Sequence, residues 1–378
     1  MVYLDYSATT PILPEILDSY NKVSKDYYGN PNSLHSFGTK SKELLSGAIK
    51  QVSEILKIDS EEIIFTSGAT EANNLAIIGT ALARGKQGSR IIVSKLEHDS
   101  IYGICNYLEK NGFIIDYVKN NEEGVIDFED LKNLITDDTI LVSICAVNSE
   151  LGIRQPLKTI KQVINKENSS ILLHSDITQA LGKVPMNLSD VDLASMSAHK
   201  IYGPKGIGLL YKKNGIILKP IMYGGNDDLR PGTPPLPLIV SFAKALRIST
   251  EELDEKEAKV SKYNDKICTS IRKHPNIKIN KTKYSIPHIL NISLMTIKPE
   301  TFIHALEKHQ IYIGSNTACS SGKISAAVLS TYNDKTRALT TIRISLSYLT
   351  KNDEVSVFIN VFDGIYHKLS QLTIRGVE

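Results

Sequence analysis

The sequence predicts an α/β protein: a large, mostly parallel sheet flanked by helices, followed by a smaller α+β unit at the C-terminus. Three observations carry this. Short apolar runs alternate with helical patterns through the first part of the chain, the order expected of parallel strands joined by crossover helices. Most of these runs end in a polar or ionisable residue. Beyond a long, charged helical stretch the pattern changes to mixed strands and helices.

Taken in order, EEIIFT (61–66) reads as a strand, SGAT (67–70) as a turn, and EANNLAIIGTALARG as a helix with apolar residues at 75, 78 and 82. RIIVSKLEH (90–98) is a second strand with a polar end. TILVSICAVN (139–148), SSILLHSD (169–176) and VDLASMSAH (191–199) repeat the rule. Ligands of open α/β sheets bind beyond the carboxyl ends of the strands, so a site is expected where these polar residues collect. One helical pattern then runs from Leu236 to Lys273 and closes at His274-Pro275. After it, HILNISL (288–294), a helix around 299–309 and TTIRISLSYLT (340–350) form the α+β unit. The boundary is expected inside the long helix. That gives a large domain over 14–255 and a smaller one over 256–378, which also takes the N-terminal segment 1–13.

Composition narrows the function classes. Lys and Arg number 44 against 41 Asp and Glu, a net charge of +3. That balance creates no field that would draw nucleic acid or an anionic membrane. No apolar run approaches the ~18 residues of a spanning helix, and the first residues, MVYLDYSATTPILPEI, lack the pattern of a secretory signal. A cytoplasmic protein is expected. The four cysteines, at 105, 145, 268 and 319, are spaced for neither a metal knuckle nor a disulfide framework. Cys105, Cys145 and Cys268 read as packing residues. Cys319 stands apart, in the small, polar run SNTACSSG (315–322).

Four features at the strand ends suggest chemistry. In SAHKIYGPKGIG (197–208) a lysine, Lys200, directly follows a strand and precedes a glycine-rich turn; it is either a solvated loop lysine or a Schiff-base lysine. Ser197 and His199 beside it could anchor an anionic or aromatic ligand. Asp176 ends SSILLHSD, where a carboxylate either caps the next helix or holds the ring nitrogen of pyridoxal 5'-phosphate (PLP) protonated. SGAT opens a helix, which leaves the N–H groups of Ala69 and Thr70 available to a phosphate. His98, after Glu97, is placed to stack on a flat ring and move protons near neutral pH.

Together these features match a known pattern. The chain resembles the IscS/NifS-type cysteine desulfurases of the class V aminotransferase family, which are fold type I PLP enzymes. The likeness runs through YLDYSATT (3–10), YGNPNSLHSFG (28–38), EEIIFTSGATEANN (61–74), Glu97-His98, ILVSICAVNSELGIRQP (140–156), HSDITQALGK (174–183), SAHKIYGPKGIG (197–208), LRPGT (229–233), TACSSG (317–322) and IRISLS (342–347). It implies a fold type I PLP-dependent transferase that removes sulfur from L-cysteine, giving L-alanine and a persulfide on Cys319 for iron–sulfur cluster assembly or for tRNA and cofactor sulfuration.

By the same resemblance Lys200 holds PLP covalently, Asp176 pairs with its ring nitrogen and Gln179 bonds its ring oxygen. Ala69, Thr70, Ser197 and His199 hold the phosphate, with Thr233 reaching in from the partner subunit. His98 stacks on the ring and assists proton transfer. Asn148 contacts cofactor and substrate, and Arg343 clamps the substrate carboxylate. A homodimer and an IscU-like scaffold or other sulfur-acceptor protein are the implied partners, without nucleic acid or membrane. No resident metal is implied, apart from a nascent iron–sulfur cluster that Cys319 would share with a scaffold. Alternatives are a selenocysteine lyase or another fold type I PLP enzyme, and, in another class, a non-catalytic sulfur-relay subunit. The chain departs from the family pattern at YGGNDDLRPGT (223–233), at the proline-rich 233–240 and at SLSYLTK (345–351).

Overall fold

The computed structural model of the protein describes residues 1–224, 228–315 and 324–375. Strand β1 is Val2–Leu4, and helices α1 (Pro14–Asp26) and α2 (Ser36–Leu56) follow it. The main sheet uses β2 (Ile63–Thr66), β3 (Arg90–Ser94), β4 (Ile114–Val118), β5 (Thr139–Ser143), β6 (Leu172–Asp176), β7 (Leu193–Ser197) and β8 (Gly208–Lys212). Its strand order is β2-β8-β7-β6-β5-β3-β4. Every pairing from β7 across to β4 is parallel, while β8 runs antiparallel to both β2 and β7. The sheet is therefore mostly parallel, as the sequence predicts. The strand β4 and the reversal at β8 are additions to that expectation.

Helices cover both faces because the strands are apolar on both faces. Ile92, Val142, Leu173, Ala194 and Leu209 enter one core, together with Phe242. Their neighbours Ile91, Leu141, Leu172, Leu193 and Leu210 enter another. This is the two-residue alternation of a strand, repeated across five strands. On the second face α3 (Ala69–Arg84) packs on α4 (Asp99–Lys110) and over β5, β7 and β8. Short helices α5 (Phe128–Leu134) and α6 (Leu157–Glu167) pack on each other, and α7 (Leu236–Thr250) packs on α1 and α2. Each fully buried Ile, Leu or Phe here contributes about 1.5–3 kcal/mol of transfer free energy.

The long helical pattern of 236–273 is two helices. Helix α7 stops at Thr250 and α8 (Leu253–Ile271) begins after Glu252, whose φ of 51° is left-handed. Ser249 and Thr250 turn their hydroxyls back to the carbonyl of Leu246 at 2.9 and 2.8 Å, competing with helical backbone bonds. The Lys256 amine then caps the open end, donating to the carbonyls of Ile248 and Glu251. A continuous helical pattern could not reveal this break, because it depends on hydrogen bonds across the joint.

A second core gathers Val2 and Leu4 with Val260, Ile292, Phe302, Ile344, Phe358 and Phe362. It is built on β9 (Lys278–Ile279), β10 (Ile289–Ser293) and β12 (Thr341–Ser345), in the order β12-β10-β9 and antiparallel throughout. Strand β1 pairs in parallel with β11 (Ile311–Ile313). This pairing anchors the N-terminus, and the next residues lead back to the main sheet. Among the described residues, no helix is long and apolar enough to cross a membrane.

Candidate functional site

A cavity of about 440 Å³ opens at the C-terminal ends of the parallel strands. Its walls come from seven stretches of the chain: residues 7–8, the β2–α3 turn, the start of α4, the ends of β5, β6 and β7 with the segments that follow them, and β12. The structure thus brings together Ala69, Thr70, His98, Asp176, Gln179, Ser197, His199, Lys200 and Arg343.

The anion-binding end is built by glycines. Gly68 caps α3 with φ 158° and ψ −180°, and helix first turns present N–H groups without intrahelical partners. A side chain at Gly208, the first residue of β8, would put its Cβ 2.5 Å from the Met196 carbonyl and 2.6 Å from the Gly68 Cα. Only glycine lets β8 press the turn against Ser197. Glu71, in the first turn, accepts from the Ser67 N–H at 2.7 Å and pairs with Arg230 at 3.1 Å. Burial raises its pKa, but these bonds outweigh it and hold the carboxyl below its ordinary value.

At the other end Asp176 is buried, its carboxylate accepting from the Thr178 N–H at 3.0 Å and the Asn73 amide at 2.9 Å. Asp176 thus does cap the turn after β6, as Asp residues do, and lines the cavity as well. Asn73 also donates to Ser100 at 3.1 Å, which joins Asp176 to His98. The imidazole Nδ1 of His98 accepts from the Ser100 N–H at 3.1 Å and caps α4. In the neutral imidazole this leaves the N–H at Nε2.

Lys200 sits in a single 3₁₀ turn after β7, half-buried. Its Nζ donates to the carbonyls of Ser7 and, at 2.8 Å, Ala8. His199 holds Thr9 through Nδ1 at 3.2 Å and accepts the Thr10 N–H on its carbonyl at 2.9 Å. Burial, and then the charges of Lys200, Lys205 and Lys183, push its imidazole down to about 4. It is neutral at pH 7. Gln179 donates to the Ser7 carbonyl at 3.0 Å and accepts from Lys183 at 2.8 Å.

Arg343, on β12, is buried with its guanidinium divided between Ser149 O at 3.0 Å and the Asp5 carboxylate at 2.9 Å. Its Nε has no partner among the described residues. Gly314 lies against it: a Cβ there would meet Asp5 Oδ1 at 2.7 Å and Arg343 Nη2 at 3.0 Å.

Two of the other predicted residues are described but do not line the cavity. The Asn148 amide is committed to the wall, donating to Leu96 O at 2.8 Å and accepting the N–H groups of Glu150 and Leu151 at 3.0 and 2.7 Å. Its neighbours Val147 and Ser149 face the cavity instead. Thr233 is exposed and does not line its own chain's cavity. Cys319 lies outside the described residues. The other three cysteines are free and buried. Cys145 lines the cavity, its thiol on Leu96 O at 3.2 Å and its pKa pushed well up by burial.

Sequence reasoning missed the backbone carbonyls of Ser7 and Ala8, the Thr178 hydroxyl and the buried amine of Lys183. It also missed the state of Glu97. That carboxyl accepts from Ser94 at 2.5 Å and the Cys145 N–H at 2.7 Å, leaving Oε2 unpartnered. Burial, with the charge of Asp176 adding to it, outweighs those bonds and pushes Glu97 up to about 8 from 4.5. The unfolded chain releases this proton near 4.5 and the folded chain only near 8. Stability therefore falls as pH rises through that window, by up to about 1.4 kcal/mol per pH unit. Glu97→Gln should remove the decline, so that urea midpoints measured between pH 5 and 8 flatten relative to the parent. An unchanged slope would place the ionisation elsewhere.

The donor set suits PLP. A helix N-terminus with Ser197 fits the phosphate, and a buried carboxylate fits a protonated ring nitrogen. Thr178 Oγ1 is buried at the wall with no partner among the described residues. The cations Lys200, Lys205 and Arg343 line the cavity, with Lys183 behind. They leave an excess of positive charge suited to a phosphate and a carboxylate.

Comparison with known proteins agrees with this geometry. The family described as "Aminotransferase class-V" matches residues 2–358. The chain is 36% identical to "Cysteine desulfurase IscS" of Clostridium botulinum, over 98% of this chain and 96% of that one. A solved structure of a "NifS-like protein" superposes with a TM-score of 0.91 at 33% identity, covering 98% of this chain and 99% of the other. The structure of "SspA in complex with cysteine" superposes at 0.80 and 29% identity, covering 93% of this chain and all of the other. The chain belongs to the class-V aminotransferase family, in its IscS/NifS-type cysteine desulfurase branch.

Proposed function

We propose that the protein is a PLP-dependent cysteine desulfurase that takes the sulfur of L-cysteine, releases L-alanine and leaves a persulfide on Cys319. The observation that carries this reading is one cavity that holds the Lys200 amine, the Asp176 carboxylate and the α3 N-terminus. The balance closes without an external oxidant. One thiol and L-cysteine become one persulfide and L-alanine, as a C–S bond is replaced by a C–H bond and an S–S bond forms.

When bound, PLP supplies a sink for the electron pair left by loss of the substrate α-proton. Lys200 would hold it covalently, Asp176 at the ring nitrogen and Gln179 at the ring oxygen. Ala69, Thr70, Ser197 and His199 would hold its phosphate. Thr233 would complete that end from a second subunit, which suits its exposure in its own chain. Asn148 would act on cofactor and substrate through the wall it shapes.

The remaining roles belong to the chain's own groups. Arg343 would take the substrate carboxylate, its guanidinium held by Asp5 and Ser149 and its Nε unpartnered. His98 would stack on the ring and move a proton at Nε2, since Nδ1 is occupied. Lys200 would accept and return the α-proton once its amine is released. Cys319, as thiolate, would attack the substrate sulfur. By sequence position it would belong to the small unit (256–378 with 1–13), while the cofactor groups would belong mainly to the large one (14–255). An IscU-like scaffold or another acceptor protein would then take the sulfur, in the cytoplasm.

The test is direct. Purified protein supplied with PLP and L-cysteine should form alanine and sulfide in equal amounts in the presence of a dithiol, with a change in the visible absorbance of the bound cofactor. No alanine and an unchanged spectrum would defeat the proposal.

A further inference from the structure

Lys183 is a lysine that the proposed chemistry does not use. It lies on the segment after β6, is 8% exposed and does not line the cavity. Its Nζ donates to Gln179 Oε1 at 2.8 Å. The same Gln179 donates through Nε2 to the Ser7 carbonyl at 3.0 Å, and that carbonyl also accepts from the Lys200 Nζ. Three hydrogen bonds thus join the two lysine nitrogens through one amide and one carbonyl.

The direction of these bonds matters. A carbonyl shared between Gln179 and Lys200 has less lone-pair density to offer an ammonium than one serving Lys200 alone. Lys183 orients the Gln179 amide so that its N–H side, and not its oxygen, faces Ser7. The charges acting on Lys183 are those of Lys200 and Arg343, both positive. Its own charge acts in turn on His199, beside Lys200, and on His288, before β10. A buried cation whose partner is a neutral amide is costly. In packing terms alone a methionine would serve this position better.

We propose that Lys183 is a positioning residue for Lys200: by donating to Gln179 it turns the N–H side of that amide onto the Ser7 carbonyl, and so fixes the acceptor that receives the Lys200 amine. A neutral amine is the form that attacks a carbonyl. The proposal rests on the reading of Lys200 as the cofactor-holding lysine. Burial, reinforced by Lys200 and Arg343, lowers Lys183 itself to about 7. Its charge is therefore present in acid and fades through neutrality, while the hydrogen bond to Gln179 can be donated by either form of the amine.

The test measures Lys200 in the full-length protein stripped of PLP, by the pH dependence of its reductive methylation with formaldehyde and cyanoborohydride, read by peptide mass spectrometry. Lys183→Met should release Gln179 from the Ser7 carbonyl, leave that carbonyl to the Lys200 ammonium alone and raise the Lys200 midpoint by up to about one pH unit, and Lys183→Arg, which keeps a donor toward Gln179, should restore a midpoint near the parent's. A shift of the same sign should appear in the pH titration of the visible absorbance after PLP is added back. An identical midpoint in the Lys183→Met protein and the parent overturns the proposal. Should neither variant fold, Gln179→Leu decides: removing the amide frees the Ser7 carbonyl in the same way, and an unchanged Lys200 midpoint overturns the proposal. A parent that takes up no PLP defeats the functional reading instead, and leaves this lysine titration measurable.

Discussion

Lys200→Ala is expected to yield a folded protein that has lost alanine formation by at least about 10⁴-fold, the scale set by removing a proton-transfer group together with the cofactor's covalent anchor. The fold should survive because the side chain belongs to none of the hydrophobic cores. Its amine makes bonds to the Ser7 and Ala8 carbonyls, and leaving those acceptors unpaired costs about 1–3 kcal/mol. Water entering the open cavity would recover part of that. The checks are alanine released per active site, the visible absorbance of PLP-loaded protein, and the thermal midpoint. Activity within tenfold of the parent would show that another group holds the cofactor. Lys183 is the nearest candidate by connection, but its amine faces Gln179 behind the wall.

Cys319→Ala is expected to separate binding from sulfur transfer. Cofactor colour and its response to L-cysteine should persist, because Lys200, Asp176, His98 and Arg343 are untouched. Sulfur delivery to a dithiol should fall on the order of 10³-fold or more, as when an enzyme loses its nucleophile. The other thiols offer no substitute. Burial raises the pKa of Cys105, of Cys145 and of Cys268, and a thiol kept protonated is a poor nucleophile. Cys145 is the stringent control because it lines the same cavity. Persulfide-specific alkylation and peptide mass spectrometry should find the label on Cys319 in the parent. Native-rate transfer by Cys319→Ala, with label on Cys145, would reassign the acceptor.

Much of the site was legible because it sits at strand ends. Apolar runs of four or five residues mark β2, β3, β5, β6 and β7, and the polar residue closing each run must fall at the carboxyl edge of a parallel sheet. Asp176, Ser197, Lys200 and His98 follow from that rule alone. The motif SGAT could be read as a helix start, though not the contact that makes Gly208 necessary beside it, since β8 and Gly68 are 140 residues apart. The two readings of Asp176, cap and ligand, proved compatible: one oxygen caps the turn, and the carboxylate still lines the cavity. Asn148 shows the opposite outcome. Its position was legible, but its amide turned out to be occupied by Leu96, Glu150 and Leu151.

The linear order of residues by itself determined the elements, the edge of the sheet on which chemistry collects, and the family. These depend on patterns of two to about fifteen neighbours, over which local periodicity and capping dominate. Only the tertiary structure decided the electrostatics. The N-terminal segment closes over Lys200 because β1 pairs with β11, some 300 residues away. Arg343 is aimed by Asp5, burial beside Asp176 raises the pKa of Glu97, and Lys183 reaches Lys200 through Gln179 and Ser7. Burial and the company of other charges are properties of a packed interior, and an interior is assembled from segments that are distant in the chain.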